Sequence, residues 1–231
     1  MVLKNFFYNS FLALKNINRY GLLLIIKSFF YEIYYSIKFQ DFTFFSYDSN
    51  DYNNKGYKDS KTHKEYSVPD IPTPFYFLKL IKDYIKKADL NNFNIIDLGC
   101  GSGRLIKYFD NNFNIKFVGI DINKKIITQN LDKFKNKNTR FYNLDLKKIN
   151  NVNDLNIIDN NFINNKKNII FISDSIDALS IIKIIPIFKK KFKEYLFIMV
   201  NQKNIQLFEN FNCKKNIFFR DKSRNINFYQ I

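Results

Sequence analysis

An apolar run, Asn94-Ile95-Ile96-Asp97-Leu98, passes directly into Gly99-Cys100-Gly101-Ser102-Gly103 and then into Arg104-Leu105-Ile106. Glycine lacks a Cβ, so this spacing permits a tight strand-to-helix turn and lets a ligand approach the backbone, while the N-terminus of the next helix offers unpaired amide donors. A dinucleotide fingerprint reads G-x-G-x-x-G. Here the pattern is D-x-G-x-G-x-G, with the third glycine one residue early and an acid ahead of the first. A carboxylate at Asp97 repels pyrophosphate and suits a cationic ammonium, held directly or through water. A turn that needs glycines for its geometry and binds nothing would look the same.

Other carboxylates fall at chemically useful distances. Asp121 ends the next apolar run, Lys116-Phe117-Val118-Gly119-Ile120, and follows Asp97 by 24 residues. Rossmann-like folds place an acid there to accept hydrogen bonds from ribose hydroxyls, and together with the loop it points to an adenosine-type ligand. Asp145, after a third run, is placed to accept a hydrogen bond from an adenine amino group, and equally to cap a helix. A fourth run ends in Ser173-Asp174-Ser175-Ile176-Asp177. Asp174 suits the orientation or deprotonation of an amine, while Asp174 or Asp177 equally suits a helix N-cap. Cys100 has no histidine nearby in sequence to activate it, so it reads as a small residue of the loop rather than a nucleophile.

The elements that must position these residues alternate regularly. Strands are expected near 94–98, 116–120, 139–143, 168–173 and 194–200, and helices near 103–110, 123–134, 176–190 and 203–210. This alternation specifies a doubly wound, mostly parallel α/β sheet. Two more strand-like runs, 216–220 and 225–231, close the chain as an antiparallel hairpin, making seven strands. Ahead of them lie a proline-stiffened stretch with Pro69, Pro72 and Pro74 and a helical segment, 75–85.

The stretch from about 69 to 145, with DLGCGSGR followed by VGIDIN, resembles the class I S-adenosylmethionine-dependent methyltransferases. That resemblance implies a Rossmann-like core with a final antiparallel hairpin and S-adenosyl-L-methionine as cofactor. It implies a cofactor site of Asp97, Gly99, Cys100, Gly101, Gly103, Asp121, Asp145 and Ser173, with Asp174 as the catalytic candidate. In this fold the fourth strand lies beside the first at the topological switch point, where acceptors are recognised. The segment IPTPF, residues 71–75, ahead of DLGCGSGR is similar to a narrower group that includes small protein-lysine methyltransferases, although Asp70 stands where that group has an aromatic. Neither an N-P-P-Y-like tetrapeptide nor a proline follows the fourth strand, which departs from exocyclic-amine nucleic-acid methylases and from the lysine group alike.

A chain of 231 residues with 46% hydrophobic and 25% charged residues is of ordinary globular composition. The expected organisation is a helical arm over 1–45, a polar loop or linker over 46–70 and a catalytic domain over 71–231. In the arm, helices are expected at about 3–18 and 21–38. Lys27, Glu32 and Lys38 interrupt the apolar stretch 21–45, so it reads as amphipathic rather than membrane-spanning, docking on the domain, a membrane surface or a partner. No signal-peptide pattern is evident, and two cysteines with one histidine fit a reducing, cytoplasmic setting without a structural metal.

The formal net charge is +16, divided as +4 over residues 1–92 and +12 over 93–231, with the densest run at Lys189, Lys190, Lys191 and Lys193. Such a charge attracts polyanions, RNA included. The abundance of Lys, Asn, Ile, Phe and Tyr is also what an A/T-rich coding sequence imposes. Three functions follow: a methyltransferase acting on a protein side chain or small molecule, an RNA-directed methyltransferase or RNA-binding module, and a non-catalytic, membrane-associated protein retaining the fold.

Overall fold

The computed structural model describes residues 20–46, 72–87, 93–110, 115–135, 138–163, 167–173, 177–192, 195–201, 205–220 and 225–230. Seven strands form one sheet: β1 (Phe93–Leu98), β2 (Lys116–Asp121), β3 (Thr139–Asn143), β4 (Lys167–Ser173), β5 (Tyr195–Val200), β6 (Asn212–Phe218) and β7 (Asn225–Gln230). Their order is β3-β2-β1-β4-β5-β7-β6. The first five are parallel, and β7 runs antiparallel to both β5 and β6. The strand order therefore reverses between β1 and β4, the topological switch point at whose carboxyl ends open α/β sheets bind their ligands in a crevice.

Both faces of the central strands are covered, which is why β1 is buried along its whole length. Ile96 and Leu98 face one core with Ile181, Ile184, Ile185 and Phe188 of the helix α7 (Ala178–Lys191). Phe93 and Ile95 face the other, built on α3 (Phe75–Lys87), α4 (Arg104–Asp110) and α5 (Lys124–Lys133). The period of two along β1 puts Asp97 on this second face.

The helix α1 (Leu22–Phe39) of the arm packs on α3 and α4, followed by a single turn, α2 (Thr43–Ser46). Its contacts are ionic as well as aromatic. Glu32 is buried, forms an ion pair with Arg104 and accepts a 3.1 Å hydrogen bond from the Phe75 backbone N–H. Arg104 lies 3.8 Å from the centroid of the Phe75 ring. Burial draws the Arg104 guanidinium down to about 9, which still leaves it charged at neutral pH opposite the Glu32 carboxylate. Asp41 pairs with Lys107 at 2.7 Å. Tyr35 packs on Phe75 and Tyr108 with ring centroids 5.4 and 5.1 Å away.

The Asp41 pair makes stability depend on acid. Burial opposes ionisation most strongly, but Lys107 and the Thr43 hydrogen bonds together outweigh it, so the carboxyl lies below its ordinary value. A depressed folded-state pKa contributes stability above the unfolded value of about 3.9 and loses it as pH falls through the folded one. Thermal melts of the wild type are expected to fall more steeply below about pH 4 than those of Asp41→Asn. Parallel curves would show that the pair carries no such linkage.

Two expected elements differ. The helix expected at 203–210 is, within the described residues, one 3-10 turn, Ile205–Phe208. The first hairpin strand, expected at 216–220, is Asn212–Phe218. This strand is an exposed edge, and its polar start, Asn-Cys-Lys-Lys, lacks apolar alternation, so the aromatic pair Phe218-Phe219 drew the expectation too far along the chain. Between β3 and β4 the chain forms two 3-10 turns, Leu146–Lys148 and Val152–Leu155, and a short helix, α6 (Asn160–Ile163). The helix expected at 3–18 and nearly all of the loop at 46–70 lie outside the described residues.

Candidate cofactor and acceptor site

At the carboxyl end of β1 the three loop glycines all have positive φ: 82° at Gly99, 47° at Gly101 and 75° at Gly103. This is the left-handed region that side chains with a Cβ resist. Gly103 is restricted sterically too, since a Cβ would lie 2.6 Å from the Phe134 ring. The loop hangs on the end of β2: the Gly99 and Cys100 N–H groups both donate to the Ile120 carbonyl, at 2.8 and 3.0 Å. From α5, the Asn130 side-chain amide donates to the Gly101 carbonyl at 2.7 Å. Lys133 donates to the Ser102 carbonyl at 3.0 Å.

Asp121 holds the loop from below. Its two oxygens accept separately, from Gly101 N–H at 3.0 Å and from Asn123 N–H at 2.8 Å. Burial raises its pKa and these backbone donors oppose the rise. A carboxylate offers about four acceptor sites, so these backbone bonds leave capacity for a ligand's hydroxyl. An acid that takes the Gly101 N–H also makes this a poor phosphate cradle, because it removes an amide donor and adds negative charge. The site's chemistry suits a neutral ribose and a cationic group.

The remaining sequence candidates fall around this crevice. Asp97 is buried at the end of β1. Cys100 is buried in the loop, close to Asn130 and packed where β2 passes as Gly119. Asp145 caps the first 3-10 turn, accepting from Lys147 N–H at 3.0 Å. Asn143 ties the end of β3 to that of β2 by donating to the Asp121 and Ile122 carbonyls. Asp177 caps α7 through Ser180 N–H at 2.9 Å and pairs with Lys147 at 2.7 Å. Although burial opposes it, these partners hold the Asp177 carboxyl well below the usual carboxylate range. Asp174, the catalytic candidate, lies outside the described residues.

Two features at this end were not among the sequence candidates. Thr73, in the IPTPF segment, donates from Oγ1 to Ser173 Oγ at 2.9 Å, bringing that segment onto the end of β4. Asn201, one residue beyond β5, has φ 57°. Its Oδ1 is buried and has no partner among the described residues. Val200 pairs in register with Ser173, so Asn201 follows directly beside the β4 terminus. An asparagine ending a strand carries no distinctive signal in a single sequence, whereas the Thr73 contact spans 100 positions.

The lysine run lies elsewhere. Lys189, Lys190 and Lys191 end α7 immediately before β5 begins, at the edge of the sheet where the parallel strands start. There they complement the carbonyl end of the helix dipole. Among the described residues, no group of three or more His, Cys, Asp or Glu side chains is placed to hold a metal ion.

Residues 95–178 match the family model described as a methyltransferase domain. No curated protein matches the chain. Among solved structures, yhhF of Escherichia coli, assigned as a methyltransferase, superposes with a TM-score of 0.50 at 16% identity, over 71% of this chain and 90% of that one. An RNA methyltransferase from Salinibacter ruber, in complex with S-adenosyl-L-homocysteine, gives 0.48 at 14% identity, over 69% and 93%. A S-adenosylmethionine-dependent methyltransferase from Aquifex aeolicus gives 0.44 at 13%, over 69% and 98%.

Proposed function

We propose that this chain is a class I S-adenosylmethionine-dependent methyltransferase whose acceptor is an amine nitrogen, on a protein lysine foremost or on a small molecule. The observation that carries this reading is the Thr73–Ser173 hydrogen bond. It puts the P-T-P segment, whose pattern is similar to that of protein-lysine methyltransferases, at the end of the sheet where the acceptor has to enter.

The cofactor supplies a methyl group on a sulfonium, activated for in-line displacement. The chain has to position that donor, align the nucleophile and exclude water. Asp97 would anchor the methionyl ammonium, Asp121 would accept hydrogen bonds from the ribose hydroxyls with its remaining capacity, and Asp145 would accept one from the adenine amino group. The glycine loop, Cys100 included, lies close along the ligand. On the acceptor side, the Thr73 hydroxyl and the Asn201 carbonyl would receive an N–H group, with Ser173, a residue of the cofactor site, hydrogen-bonded to Thr73 between the two ligands. Asp174 receives the proton that the amine sheds.

A screen with a labelled methyl donor against lysine-bearing proteins and small amines is expected to return an amine product. With that acceptor, Thr73→Val and Asn201→Ala should each cost about 0.5–1.5 kcal/mol, roughly two- to tenfold in kcat/KM, while cofactor affinity stays near that of the wild type. An RNA or hydroxyl product, or variants that alter cofactor affinity alone, would remove this reading of the acceptor end.

A further inference from the structure

The arm helix presents a second surface unrelated to the crevice. Leu23, Ile26, Phe30, Tyr34 and Ile37 recur every three or four residues and therefore share one face of α1. Leu23 is 75% exposed, Phe30 65%, Tyr34 59% and Ile37 64%. This continuous apolar and aromatic stripe is not the face that packs on the protein. Glu32, Ser36 and Tyr35 serve that purpose, through Arg104, Phe75 and Tyr108.

Charge decides what covers the stripe. The only acids between residues 1 and 46 are Glu32 and Asp41, and both are buried in ion pairs. The charges left on the outer side of α1 are Lys27 and Lys38, both exposed. Lys38 and Lys86 both act electrostatically on Lys82, and the nearby Asp83 pairs with Lys79 at 2.5 Å. Residues 1–19 contain Lys4, Lys15 and Arg19 and no acid. Folding that segment over the stripe, or joining two copies of the stripe about a twofold axis, would bring like charges together. An anionic surface complements every one of them.

We propose that this face of α1 docks on an anionic lipid surface, with the stripe seated at the boundary of headgroups and acyl chains and with Lys27 and Lys38 on the phosphates. An 18-residue helix is about 27 Å long and lies in the plane as an interfacial amphipathic element. No helix among the described residues is long and apolar enough to cross a membrane. The Glu32–Arg104 pair ties α1, and the Asp41–Lys107 pair the residues just after it, to α4, the helix that follows the glycine loop, so docking would hold that helix near the lipid surface. The proposal does not depend on the identity of the methyl acceptor.

The full chain is to be sedimented with vesicles of phosphatidylcholine alone and with phosphatidylserine as about a third of the lipid. Binding is expected to the anionic vesicles, weakened by salt, and the combined variant Leu23→Ser, Phe30→Ser, Ile37→Ser should bind at least tenfold more weakly. Its urea midpoint should match that of the wild type, because these side chains are exposed. Wild-type-like vesicle binding by that variant would overturn the proposal. So would a Phe30→Cys thiol shielded from a water-soluble maleimide without vesicles, or a wild-type dimer that becomes monomeric on the triple substitution.

Discussion

Glu32→Ala is expected to destabilise the fold by about 3–5 kcal/mol, the cost of leaving a buried charge without its partner. The Arg104 guanidinium is almost wholly enclosed, with Nε and Nη1 unpartnered among the described residues and the faces of Phe75 and Phe44 beside it. Removing the carboxylate leaves aromatic rings as its main compensation and also deprives the Phe75 N–H of its acceptor at the start of α3. Urea unfolding gives the magnitude. Glu32→Leu combined with Arg104→Met should recover much of the loss, since an apolar replacement of both partners leaves no charge stranded. The exposed Lys79–Asp83 pair is the internal control: Asp83→Ala should change stability by no more than about 1 kcal/mol. A Glu32→Ala loss as small as that control would mean that the arm is merely apposed to the domain.

The second large effect falls on cofactor binding. Losing a charge-assisted contact at Asp97 should cost about 1.5–3 kcal/mol, roughly tenfold to a hundredfold in affinity for S-adenosylmethionine. Gly101→Val is expected to be at least as damaging, because its φ of 47° excludes a β-branched residue without strain. The two variants differ in cause. Asp97→Ala leaves the loop backbone in place and should keep a cooperative melting transition. Gly101→Val should lower the melting temperature, because the loop's bonds to Asp121 and Asn130 have to shift. Calorimetric titration with each variant checks both, and unchanged affinity in Asp97→Ala would remove that residue from the site.

The parallel strands were legible in the sequence to within one residue because β1, β2, β4 and β5 each carry a short apolar run, the pattern of a strand buried on both faces, while the edge strand β3 alternates buried and exposed positions. β3, expected at 139–143, is Thr139–Asn143. The glycine loop was legible for the same local reason: strand, D-x-G-x-G-x-G and helix are contiguous. What escaped was either solvent-exposed or remote. β6 exposes both of its faces, so no alternation marks its start. The turn at Val152–Leu155 is made by a capping box between Asn151 and Asp154, two residues that look ordinary in an Asn-rich chain. In the sequence Glu32 and Lys38 are charges that interrupt an apolar span. Glu32 is instead the partner of an arginine 72 positions away, and only the folded chain reveals a pairing across that distance.

The central claim, that this crevice holds S-adenosylmethionine, is tested most directly by isothermal calorimetry of the full chain with S-adenosylmethionine and then with S-adenosylhomocysteine. The account predicts one site per chain for each, with micromolar affinity, and both titrations weakened in Asp97→Ala. Absence of binding to either ligand by a sample that melts cooperatively would contradict it.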